Sequence, residues 1–230
     1  MATLGLSLAG AIAGCGLISS DVTDFDLKLP DKKFSIDTDG WQIDQSKADV
    51  FLMQSCASNP TVCSSAVQQA CTMGCSGTCN ASKTCDLSLD VSVVQPVNLL
   101  MEEPDLKTVS DQSVLKVAID SVTYEVTANS LNVDTPPVTV YVAPMSVVKV
   151  DPTSAKAIGT IPAVTAGKTT TGPQPIQFTA TGKTDLMNIM ATFKTPFNIL
   201  VGTSLVVTEG TPVPTGRLDS VVHIIAHAGL

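Results

Sequence analysis

Aromatic side chains are scarce, at 4% of 230 residues with a single tryptophan, Trp41, so flat platforms for sugars or bases are few. Charge is thin too: 13 Lys and Arg stand against 21 Asp and Glu, a formal net charge of −8, and no basic cluster occurs. Such a chain lacks the electrostatic footprint that phosphate backbones require, which argues against nucleic acid as a partner and against adsorption to an anionic lipid surface. Long Ala/Leu/Glu/Lys-rich tracts are missing while valine and threonine abound, which favours sheets over a helical bundle.

The residues of recognised catalytic constellations are missing as well. There is no GxSxG elbow, no P-loop and no GxGxxG after a strand, so the chain reads as non-enzymatic. Histidine occurs only as His223 and His227, in "HIIAH". On a strand both point to one face with Val221 and Ile225; on a helix they stand one turn apart, as zinc ligands can. No glutamate follows His223 as HExxH demands, so the pair is a weak metal candidate and surface or structural roles are expected. Met187 and Met190 read as core filler rather than soft-metal ligands. No cofactor is expected.

Seven cysteines are present, and their placement is uneven. Six (Cys56, Cys63, Cys71, Cys75, Cys79 and Cys85) fall within residues 56–85; Cys15 stands alone. No CxxC pair exists and no histidine lies near the window, so metal or iron–sulfur ligation fits poorly. Three disulfides are expected, in any of 15 connectivities, with staples replacing core area. That chemistry implies an oxidising, exported compartment. "SSAVQQACTMGC" suggests a short helix capped by Ser64 or Ser65, with Cys71 and Cys75 on one face and Cys79 after a helix-breaking "SGT".

The odd cysteine closes "MATLGLSLAGAIAGC", an uncharged stretch whose apolar run has signal-peptide length but is shorter than the about 20 residues that span a bilayer. Ile12, Ala13, Gly14 and Cys15 match the lipobox, and here the chain resembles bacterial lipoproteins, departing from them in having no Lys or Arg ahead of the apolar run. The resemblance implies a signal peptide at 1–14 and a diacylglycerol on the Cys15 thiol. It also implies an amide-linked acyl chain such as palmitate, and a lipidated tether at 15–24. Burial of acyl chains contributes about 0.8 kcal/mol per methylene, and two chains anchor stably. Gly at position 16 rather than Asp implies export to the outer membrane of the cell envelope, facing the periplasm or the surface. An ordinary secreted protein's signal, or a first strand with a buried thiol, are the alternatives.

From residue 25 to 230 the pattern is that of a mainly β chain, an antiparallel β-sandwich with one or two short helices and a disulfide-rich helical or loop insertion at 51–85. "FDLKLPDKKFSID" alternates on both sides of "PDKK" and reads as a hairpin. "DTDGW" reads as a turn rather than a calcium loop, because no glutamate arrives where that loop needs one. "CDLSLDVSVVQPVNL" places Leu87, Leu89, Val91 and Val93 on one face. "TVSDQSVLKVA" suggests a helix capped at Ser110. "IDSVTYEVTANSL" is strand-like with a change of face near Ser121, and "TPPVTVYVAP" is a strand bracketed by prolines. "KTDLMNIMATF" has helical spacing, with Leu186, Ile189, Met190 and Phe193 on one face and Thr184 as cap. "FNILVGTSLVVTEG" and "DSVVHIIAHA" close a set of about eight strands.

Residues 86–230, with "GTIPAVTAG", then "PIQFTA", a helix and a closing strand pair, resemble the water-stress (late-embryogenesis-abundant) β-sandwich family, which implies a sandwich and carries no functional residue across. The tether acids Asp21, Asp24 and Asp26 read as a solvated stretch, and "NAS" at Asn80 as a chance sequon. The expected role is that of a non-enzymatic, lipid-anchored envelope protein, held to the membrane by its lipid and presenting a surface to another envelope protein. A carrier of a hydrophobic ligand such as lipid, held between the sheets, is the alternative; a metal-binding or redox protein ranks behind it.

Overall fold

The computed structural model describes residues 25–109, 111 and 115–229; Cys15, Asp21 and Asp24 lie outside them. Among the described residues, eleven strands form two antiparallel sheets, against the about eight that the alternation suggested. The chain is mainly β and sandwich-like, as expected.

The first sheet begins with β1 (Phe25–Lys28) and β2 (Lys32–Asp37), which are not a hairpin. Both run antiparallel to the last strand, β11 (Arg217–Gly229), on the same side of it. The register passes from Lys28 opposite Ile225 to Lys32 opposite Val222, so Pro30 and Asp31 carry a one-residue bulge in one interrupted strand. The physical reason is turn chemistry. Two-residue hairpin turns need residues at positive φ, and "PDKK" offers neither Gly nor Asn and adopts no positive φ.

A 3-10 turn at Thr38–Trp41 follows, capped by the Asp37 carboxylate accepting from the Asp39 N–H (3.0 Å), in keeping with the expected turn. The cysteine module then interrupts the sheets with α1 (Gln45–Leu52), α2 (Val62–Ala70) and β3 (Cys75–Cys79), which pairs with β4 (Cys85–Val97). A short helix, α3 (Leu99–Glu102), and a 3-10 turn at Pro104–Val109 lead to β5 (Lys116–Asn129). Ser110, expected as a helix cap, lies outside the described residues together with 112–114, and Lys116, Val117 and Ala118 of "LKVA" already belong to the strand. Asp120 is the extra residue of a bulge between Ile119 and Ser121, the expected change of face.

Next come β6 (Val138–Pro144), β7 (Lys156–Ile161) and the two-residue strands β8 (Gln174–Pro175) and β9 (Gln177–Phe178). The helix α4 (Gly182–Ala191) starts two residues before Thr184, leaving that residue inside the first turn rather than at the cap. Its Leu186 and Met190, with Phe193 beyond, are fully buried, and Met187 and Ile189 are half-buried, which agrees with methionine as core filler. β10 (Phe197–Val207) completes the second sheet, whose order is β3-β4-β10-β6-β7-β9. The first sheet has the order β1-β11-β5-β8 with β2 also on β11, so β10 and β11, adjacent in sequence, belong to different sheets.

Alternation explains the core. Leu218, Val222, Ile224, Ala226 and Ala228 of β11 face Leu87, Leu89, Phe197, Ile199 and Val201 of the other sheet in one buried cluster, which also takes in Phe51, Leu52 and Val67 of the cysteine module. The first half of β10 is buried on both faces, because the 145–155 loop folds over Leu200. Buried Asn198 holds that loop, its amide donating to the carbonyls of Met145 (3.2 Å) and Val147 (2.9 Å). No helix among the described residues is long and apolar enough to cross a membrane.

Candidate interaction cleft and the cysteine module

All six clustered cysteines are paired: Cys56–Cys79, Cys63–Cys85 and Cys71–Cys75. The first two tie the helical layer to the sheet, and Cys63 and Cys85 are wholly buried. α2 lies so close to β3 that a Cβ at Gly77 would collide with the Cys63 carbonyl and the Phe51 ring. The third bridge closes the bend between α2 and β3. Cys71 and Cys75 do not share a helix face, because α2 stops at Ala70 and Cys71 is extended (φ −152°, ψ 134°). The break follows from Gly74, at φ +64°, and from Cys71 pairing with Ile43 across the module. Val62 opens the helix, while the Ser64 and Ser65 hydroxyls donate back to the Thr61 carbonyl instead of capping. Cys79 ends a strand, since "SGT" is its interior.

The Asn80 side chain is consumed by the turn that follows: its amide donates to Thr84 Oγ1 (3.1 Å) and Asp86 Oδ1 (2.7 Å), and its oxygen accepts from the Thr84 N–H (3.1 Å). The Asn80 side chain thus has a structural role in this turn.

His223 and His227 do share the outer face of β11, alongside Val221 and Ile225, but they do not converge. Four residues along a strand separate them by about 13 Å. Each meets its own aspartate: His223 Nδ1 lies 2.7 Å from Asp31 Oδ1, and His227 Nδ1 lies 2.9 Å from Asp120 Oδ1. Both aspartates sit at strand irregularities on opposite flanks of β11, which sequence periodicity does not reveal. Among the described residues no group of three His, Cys, Asp or Glu side chains is placed to hold a metal ion.

A concavity of about 850 Å³ lies on the open side of the sandwich between β2 and β4 and reaches Thr139, Tyr141 and Gly202 of β6 and β10. Its floor is apolar, with buried Ile36, Val91 and Trp41 beside Val93; Met73 and Val148, both well exposed, stand at its rim. Trp41 is locked by its indole N–H donating to the Asp90 carbonyl (3.1 Å), so it acts as a wall rather than a free stacking platform. Asp37 and Asp90 contribute acidic residues to the lining and Lys149 a basic one. Arg217 lies 3.6 Å from Asp37 and 2.8 Å from Asp219, and its hydrogen bond holds the Asp219 carboxyl below the usual carboxylate range. At the far end, Gln95 Nε2 donates to the Lys33 carbonyl (2.7 Å), bridging the two strand edges.

Beyond that bridge Lys32 is buried, its ammonium 2.8 Å from both carboxylate oxygens of Glu102 and 3.3 Å from the Pro96 carbonyl. Neighbouring Glu103 is pushed up from its ordinary value, first by burial and then by Asp105 and Glu102. By contrast, the cavity between the two sheets, lined by Phe34, Tyr124, Val138 and Val201 among others, measures about 20 Å³, far too small for an acyl chain.

Trp41, Val91 and Val93 stood out in the sequence for their type or their strand face, but nothing there placed them together in a cleft. Trp41 and Met73 are brought to it by the cysteine module, and β2 and β4 by pairings 60 and more positions away. No protein-family model and no curated protein matches the chain.

Proposed function

We propose that this chain is a lipid-anchored, non-enzymatic protein of the bacterial cell envelope that presents a disulfide-braced sandwich to an envelope protein partner. The observation that carries the reading is the partition of sulfur: three bridges use six of the seven cysteines and leave Cys15, in its lipobox-like context, as the odd one. Paired cysteines support an oxidising compartment, and a diacylated Cys15 supplies the grip that an acidic protein does not obtain from anionic lipid headgroups. The open cleft beside β4 supports a binding role, and the small interior cavity speaks against carriage of lipid between the sheets.

Intact-mass analysis of membrane-extracted protein tests this directly. The expected result is an amino terminus beginning at Cys15 with diacylglycerol and an acyl chain attached, and a gain of two hydrogens per bridge at three bridges on reduction. Cys15→Ser moves the protein to the soluble fraction. An unmodified Cys15 in membrane-extracted material overturns the anchor.

A further inference from the structure

The edge of β4 changes its partner half-way along. Residues 85–89 pair with β3, and at Asp90 the backbone that faces away from β10 is still satisfied, its N–H donating to the Gly74 carbonyl (2.8 Å) and its carbonyl accepting from Trp41 Nε1 (3.1 Å). Alternation then directs the backbone of Ser92, Val94 and Pro96 to that same side. The Pro96 carbonyl accepts from Lys32, but no hydrogen bond among the described residues engages the N–H or carbonyl of Ser92 or Val94 there. The chain that could have extended β3 along this edge, Thr72 and Met73, is carried off by the Cys71–Cys75 bridge and the pairing of Cys71 with Ile43. Ser92 lines the cleft and Val94 follows just beyond its lining, next to Gln95, whose amide reaches the Lys33 carbonyl; the unpaired side of β2 lies across from this edge.

We propose that the cleft takes an extended, basic polypeptide segment of another protein, which adds to β4 as a strand at Ser92 and Val94. An edge offering two donor–acceptor pairs at alternate residues is what an added strand saturates, and the main chain supplies affinity while alternate side chains enter pockets. Ile36, Val91 and Trp41 provide the apolar floor for those side chains. Asp90 and Asp37, the latter shared with Arg217 at 3.6 Å, together with the net charge of −8 outweigh the single Lys149 of the lining and favour a basic sequence. An open groove of this volume accommodates a single extended segment rather than a whole second sheet. The inference rests on the binding role proposed above but not on the lipid at Cys15.

The test uses the purified chain and its Cys15→Ser variant with a fluorescein-labelled peptide of alternating threonine and valine, capped by lysines. Two control peptides carry glutamates in place of the lysines, or N-methyl groups on the backbone nitrogens. The lysine peptide binds saturably in fluorescence anisotropy to both protein forms. Either control weakens it by at least about tenfold. Amide exchange at Ser92 and Val94 is fast in the free protein and slows on binding.

Val94→Pro removes the edge donor and leaves the β4–β10 ladder to Val93 and Gln95, as edge strands tolerate; it abolishes binding, and because Val94 packs against the Leu200 cluster it also lowers the thermal midpoint. Should that variant fail to fold, the exchange footprint on the unmutated chain decides. No binding at millimolar peptide, protection elsewhere, or protection of Ser92 and Val94 that rises with protein concentration alone overturns the proposal, the last because a second copy would then fill the edge. Binding by the Cys15→Ser variant when no lipid is found on Cys15 leaves the strand addition standing and removes only the anchor.

Discussion

Removing the disulfides one at a time discriminates between a bridge that braces the fold and one that shapes a bend. Cys63–Cys85 closes a loop with a sequence separation of 22, Cys56–Cys79 one of 23, and Cys71–Cys75 one of only 4. If each acts by restricting the unfolded chain, loop closure assigns about 3.4 kcal/mol to either long bridge and about 2 kcal/mol to the short one. The two long loops overlap, so with one intact the other closes a shorter effective loop, and a single removal costs about 2–3 kcal/mol. Cys63→Ala/Cys85→Ala also deletes two wholly buried sulfurs that pack α2 on the sheet, which places it at the upper end. Cys71→Ala/Cys75→Ala leaves a bend that is still held by the pairing of Ile43 with Cys71. Urea unfolding followed by far-UV circular dichroism, with each double variant compared at constant slope, gives the order Cys63–Cys85, then Cys56–Cys79, then Cys71–Cys75. A Cys71/Cys75 variant destabilised as much as the Cys63/Cys85 variant would refute the loop-closure reasoning.

Two further outcomes follow from other parts of the structure. Glu102→Gln strands the Lys32 ammonium, which has only the Pro96 carbonyl left as a full acceptor, and costs about 3 kcal/mol in chemical denaturation. The double variant Lys32→Met/Glu102→Leu recovers most of that, because two apolar side chains in the same space need no counter-charge; a double variant worse than the single one contradicts this account. Asp44 caps α1, and hydrogen bonds from Ser46 and Lys47 lower its carboxyl from 3.8 to about 2. Its folded pKa is depressed, so its support of α1 is fully present above pH 3.8 and disappears as pH falls through about 2. Carbon-detected NMR titration of the Asp44 carboxyl in the folded protein shows that low midpoint, and an ordinary midpoint removes the cap from the account.

Local chemistry made much of the architecture readable. Strict alternation in "CDLSLDVSVV" and "DSVVHIIAHA" requires half-buried strands, and helical spacing of Leu186, Met190 and Phe193 requires an amphipathic helix; each pattern is a property of a few consecutive residues. Six cysteines in one window likewise dictated bridges without dictating their partners, since connectivity depends on which sulfurs the fold brings together. Long-range pairing is where the reading of the sequence stopped. Whether "PDKK" turns back or runs on depends on β11 offering its edge some 190 residues later, and whether helix α2 reaches Cys75 depends on Ile43 capturing Cys71. His223 and His227 show the same division. Their shared face followed from the period of a strand, whereas the aspartate that each one meets was decided by bulges on two neighbouring strands. The vacant edge of β4 belongs wholly to the tertiary structure. A backbone donor is free or satisfied only according to what lies beside it, and the side-chain pattern of a strand carries no record of its neighbours.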